Sequence, residues 1–203
     1  MPVAALFDNG GDHTAIMRSI FEPAAPEGWT VQHYNVSGLG ALPIAQAIAD
    51  GASLIINPNP VGLPTVWDSA LAAGVPVVSA HASNDPIFVS AGYVGWPVVV
   101  SAAETTDTDP RTSNGPGVEL TIRPAQTITQ SWATASSAAA LATLFDEYGN
   151  WFDARAALRS LAVSSYDWQG IGLVDLCNVP SGEGAEILSA DLRPTVFQHL
   201  QSR

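Results

Sequence analysis

A chain of 203 residues with seven Arg, no Lys and nineteen Asp or Glu has a formal net charge of −12, a field that repels nucleic acid and anionic membrane surfaces. Lack of Lys excludes Schiff-base chemistry and a phosphate-loop lysine, and the single cysteine, Cys177, excludes an internal disulfide. At 47% hydrophobic and 13% charged residues the composition is globular.

No apolar run approaches the length of a membrane span, and no basic segment precedes the first strand pattern. A cytoplasmic location is expected if the chain is complete. Four scattered His and one Cys leave no metal or cofactor site to expect, and Glu104, Asp107 and Asp109 read as a solvated loop. The sequence does not give the oligomeric state.

Val3–Phe7 is a short apolar strand ending at Asp8-Asn9-Gly10-Gly11, a turn. Asp12 reads as the N-cap of a helix from His13 through Ile16, Met17, Ile20 and Phe21 that stops before Pro23. A strand is predicted over 30–36, a helix over 44–49 closed by Gly51, and a buried strand over 52–56 running into Asn57-Pro58-Asn59-Pro60. Then follow a helix over 65–73 closed by Gly74, a strand over 75–80, and strands over 96–102 and 118–122. The stretch from Ser131 to Phe145 is uncharged and Ala-rich, and a helix of that composition is buried on every side. Another helix is expected near 152–161.

Alternating helices and Val/Ile-rich strands without one-sided alternation define an α/β fold with a mainly parallel sheet covered on both faces. One domain is expected over residues 1–177, with a C-terminal tail over 178–203. Asp8, Asn57 and Asn84 fall just beyond strand C-termini, where such sheets place ligands. Ser131, at a helix start, is either an acyl-transfer nucleophile or a routine cap. His13 is either a general base or a solvated first-turn residue, and Asn84 stands in a segment that also reads as a turn. His33 and His199 carry no signal. His81 reads as a packed or hydrogen-bonded histidine, and the tryptophans as core or pocket walls.

With these residues placed, the chain resembles the subtilisin-like serine proteases over roughly residues 3–175. Val3-Ala4-Ala5-Leu6-Phe7-Asp8 resembles the strand that ends in the family's catalytic Asp, and His13-Thr14 the helix start with its His. The stretch from Ala70 to Asp85 resembles the helix and strand that deliver the oxyanion Asn, here Asn84. Ser113-Asn114-Gly115-Pro116-Gly117, Gln130-Ser131-Trp132-Ala133 and Gly170-Ile171-Gly172-Leu173-Val174-Asp175 follow in the family's order. The resemblance implies a three-layer fold with a buried central helix starting at Ser131. It also implies peptide-bond hydrolysis by Asp8, His13 and Ser131, with Asn84 holding the oxyanion.

The sequence departs from the family at four places. Only the four residues Asn9–Asp12 separate Asp8 from His13, and a register keyed on Thr14 would put Asp12 in the place of the His. Thr129-Gln130 replaces Gly-Thr, Pro58 and Pro60 remove donors from the substrate-binding strand, and Ala135-Ser136 replaces Pro-His. Two readings follow: a serine peptidase acting on a peptide or protein, or a pseudoprotease that binds a partner protein.

Overall fold

In the computed structural model, residues 1–36, 42–59, 68–80, 98–103, 120–123, 130–160 and 172–175 are described. The elements are β1 (Val3–Asp8), α1 (Gly11–Ala24), β2 (Thr30–Asn35), α2 (Ile44–Ala49), β3 (Ala52–Asn57) and α3 (Asp68–Ala73). They continue with β4 (Val77–Ala80), β5 (Val98–Ala103), β6 (Leu120–Arg123), α4 (Gln130–Tyr148), α5 (Trp151–Ser160) and β7 (Gly172–Asp175).

Among the described residues the strands form one sheet in the order β2-β1-β3-β4-β5-β6-β7. Every neighbouring pair is parallel. Strand β1 reads as a continuous apolar run because both its faces are covered, whereas the edge strand β2 is mostly exposed. Ala4 and Leu6 of β1 join Met17, Ile20, Phe21 and the α4 residues in one core, whereas Ala5 and Phe7 join Ile44, Ala47, Ile55 and Ala70 in another. Helices α1, α4 and α5 thus lie over one face, and α2 and α3 over the other. The result is a mixed α/β fold with a parallel sheet flanked by helices.

Every residue of α4 from 133 to 144 is buried. Its Ala and Ser side chains let α1, α5 and the sheet approach closely, so the segment is helical with no polar face to show solvent. Strand order reverses at β1: the chain first adds β2 on one side, then crosses over to add β3 and the rest on the other. In such sheets the crevice beyond the carboxyl ends of the strands at the reversal is where ligands bind. Asp8 closes β1 and Asn57 closes β3 at that crevice.

Several expected boundaries shift. Asp12 is not the N-cap of α1: Gly10 holds that position without a side-chain cap, and Asp12 lies in the first turn, where its charge suits the helix dipole. The helix runs on through Pro23 to Ala24, since a proline one residue from the end removes a single hydrogen bond from the last turn. Strand β4 starts two residues late because the Val75 N–H returns to the Ala70 carbonyl at 2.9 Å, closing α3. Helix α4 starts at Gln130, one residue before Ser131. The Gly172–Asp175 segment, read from sequence only as a motif, is a strand paired with β6. The first residues of the helix expected over 65–73 and the tail over 178–203 lie outside the described residues.

Candidate functional site

The site begins with the connection from β1 to α1. Gly10 has φ 88° and ψ −171°, and Gly11 has φ 70°, backbone states that side-chain-bearing residues rarely occupy. They reverse the chain within three residues of Asp8 and start α1 early enough for its first turn to lie over the end of β1. His13 and Thr14 then both reach back to the Asp8 carboxylate. His13 Nδ1–H donates at 2.9 Å to each carboxylate oxygen, and Thr14 Oγ1–H donates to Oδ2 at 2.7 Å. Of Asp12 and His13, it is therefore His13 that meets Asp8.

A fourth contact comes from the segment after β3. Asn59 Nδ2–H donates to Asp8 Oδ1 at 3.0 Å. Beneath the side chain, the Asp8 carbonyl accepts the Val36 N–H at 3.1 Å and His33 Nε2–H at 2.9 Å. Asp8 is 1% exposed. Burial pushes its carboxyl pKa upward, but the donors Thr14, His13, Asn59 and the Asn9 N–H outweigh burial and hold it below the ordinary carboxylate value.

The His13 side chain is 42% exposed, so the imidazole spans from a buried carboxylate to the surface. With its Nδ1–H committed to Asp8, the neutral ring carries its lone pair on Nε2, the tautomer a general base requires. An open groove of about 490 Å³ runs along α1, lined in part by Gly10, Gly11, Thr14, Arg18 and His33 but by neither Asp8 nor His13.

Ser131 lies in the first turn of α4, and its hydroxyl donates to the Pro58 carbonyl at 3.1 Å. It is thus not the helix cap that sequence allows. Among the described residues no hydrogen bond joins Ser131 to His13. Asn84 lies outside the described residues, as do His81, Trp67, Trp96, Trp168 and the Glu104–Asp109 loop. The structure brings together Asp8 and His13, and it fastens Ser131 to the residue immediately before Asn59.

Three participants were not singled out in the sequence: Thr14, Asn59 and His33. Thr14 carried a signal, being next to His13 in the first turn. Asn59 stood in a segment whose prolines read as damage to a substrate edge. Among the described residues no cluster of three or more His, Cys, Asp or Glu is placed to hold a metal ion, and no helix is long and apolar enough to cross a membrane.

No family model matches the chain, and no curated protein matches it. Solved structures do. The fold is similar to that of the prenylagaramide maturation protease PagA, with a TM-score of 0.56 over 86% of this chain and 89% of that one, at 16% sequence identity. At that identity the likeness is one of fold.

Proposed function

We propose that this chain is a subtilisin-like serine hydrolase that cleaves a peptide or protein substrate. The observation that carries the reading is the buried Asp8 carboxylate on His13 Nδ1, at the end of β1, where the strand order reverses. Likeness of fold to a maturation protease supports it, as does the order of the sequence segments.

In this reading Ser131 Oγ leaves the Pro58 carbonyl and attacks the substrate carbonyl carbon while His13 Nε2 takes its proton. Asp8 keeps the ring oriented and stabilises the imidazolium. The oxyanion is held by Asn84 and the Ser131 N–H. On collapse, the C–N bond breaks and the amine leaves with the proton from His13. Water, deprotonated by the same nitrogen, then hydrolyses the acyl-enzyme and restores the serine.

One observation favours a second reading, a binding domain that keeps the fold without catalysis: the Ser131 hydroxyl is bonded to a backbone carbonyl and not to a base. Intact-mass labelling with a fluorophosphonate probe separates the two. A single adduct on the wild type that is lost in Ser131→Ala and His13→Ala supports the hydrolase. A folded wild type that takes no adduct supports the binding domain, and the search then turns to a partner protein.

A further inference from the structure

Asp8 carries more hydrogen bonds than a residue that only orients an imidazole needs, and they come from different parts of the chain. Oδ2 takes Thr14 from α1, Oδ1 takes Asn59 from beyond β3, and His13 Nδ1 sits 2.9 Å from both. A carboxylate held by one oxygen alone still swings about its Cβ–Cγ bond. Donors fixed to both oxygens from two separate elements set its plane. One residue before Asn59, the Pro58 carbonyl holds Ser131. The dipeptide Pro58-Asn59 therefore touches both ends of the candidate relay, the carboxylate through a side chain and the serine through the backbone.

We infer that Asn59 is a positioning residue that acts through Asp8 on His13, and that the segment beyond β3 thereby couples the carboxylate to Ser131. The inference rests on the reading of Asp8, His13 and Ser131 as a hydrolytic relay. It also gives the Asn57-Pro58-Asn59 segment a use that substrate pairing does not require. Pro58 lacks an N–H but its carbonyl is free to accept, and the ring stiffens the backbone on which Asn59 is mounted.

Among the described residues, the titratable groups hydrogen-bonded to Asp8 are His13 on α1, at the carboxylate, and His33 on β2, at the carbonyl; Thr14 and Asn59 are neutral. A charged carboxylate that loses one neutral donor loses an interaction that converts to roughly a 10- to 100-fold change in rate or equilibrium.

The test is a titration of the Asp8 carboxyl carbon by NMR, assigned with Asp8→Asn, in the wild type, Asn59→Ala and Asn59→Asp, alongside fluorophosphonate labelling rates. Asn59→Asp is close to isosteric, which guards against a variant that merely fails to fold. In Asn59→Ala the Asp8 midpoint rises and labelling slows about 10- to 100-fold. In Asn59→Asp the two facing carboxyls share a proton, and a new midpoint appears above the ordinary carboxylate range. An Asp8 midpoint unchanged in both variants overturns the inference, whatever the wild type does with the probe. A wild type that takes no probe overturns the hydrolytic reading instead, and a shifted midpoint then still counts for the hold of Asn59 on Asp8.

Discussion

The hydroxyl of Ser131 donates to the carbonyl of Pro58 at 3.1 Å, joining the first turn of α4 to the segment beyond β3. Pro58 is buried and Ser131 half-buried, so removal of the hydroxyl leaves a buried acceptor without that partner. Ser131→Ala is expected to lower stability by about 1 kcal/mol, read as a lower urea midpoint with an unchanged slope. The same variant takes no fluorophosphonate adduct. A variant as stable as wild type would mean that the bond contributes nothing to the fold, and that the serine is held by other contacts.

The depressed pKa of Asp8 sets a pH dependence of definite sign. In the folded state the carboxyl titrates below its ordinary value, so the unfolded chain binds the proton more readily. Its contribution to stability is complete above the unfolded carboxylate pKa, about 3.9. It is lost as pH falls through the lower, folded pKa. Urea midpoints measured from neutral pH downward fall along this limb in the wild type. In Asp8→Asn the limb is shallower, because the group that takes up the proton is gone. Equal slopes for the two proteins would assign acid unfolding to other carboxyls.

Thr14 separates hydrogen bonding from packing at the same carboxylate. Its side chain is buried at 9% exposure and gives Asp8 the shortest of its described hydrogen bonds, at 2.7 Å. Thr14→Val keeps shape and volume but removes the hydroxyl, at an expected cost of about 1.5–3 kcal/mol, the range for a hydrogen bond to a charged group. Thr14→Ser, which retains the donor, loses much less. The Asp8 titration moves up in Thr14→Val and stays near wild type in Thr14→Ser. If Thr14→Ser loses as much stability as Thr14→Val, the packing of the methyl group contributes as much as the hydroxyl.

Much of the architecture is legible in the sequence because its physical signals are local. Val3–Phe7 is a continuous apolar run because Ala4 and Leu6 face one core while Ala5 and Phe7 face the other, and Ala52–Ile56 is interrupted only by Ser53. The Ala-rich stretch after Ser131 has no polar face because it is surrounded. The Asp8–His13 contact is also local, closed by the Gly10-Gly11 turn. The Asn59 contact is not: it lies fifty-one positions beyond Asp8, and its position follows only once β3 is laid beside β1. The role of Pro58 is non-local for a related reason. From sequence, a proline in a strand extension signals a lost donor; that its carbonyl accepts from Ser131 depends on where α4 docks.

Gly10 offers the sharpest test of how the turn builds the site. An alanine Cβ there would lie 3.8 Å from His33 Cε1, an ordinary van der Waals distance, so steric room does not forbid the substitution. The backbone does: φ 88° with ψ −171° is a region that only glycine occupies readily, and a side-chain-bearing residue held there costs about 1–3 kcal/mol. Gly10→Ala is therefore expected either to lose that stability or to relieve it by re-forming the turn. Relief would start α1 at a different point and draw His13 and Thr14 away from Asp8. The two routes differ in the Asp8 titration, which stays depressed if the turn is merely strained and rises toward the ordinary carboxylate value if the turn relaxes. Unchanged stability together with an unchanged titration would show that the Gly10 conformation is not what brings His13 to Asp8.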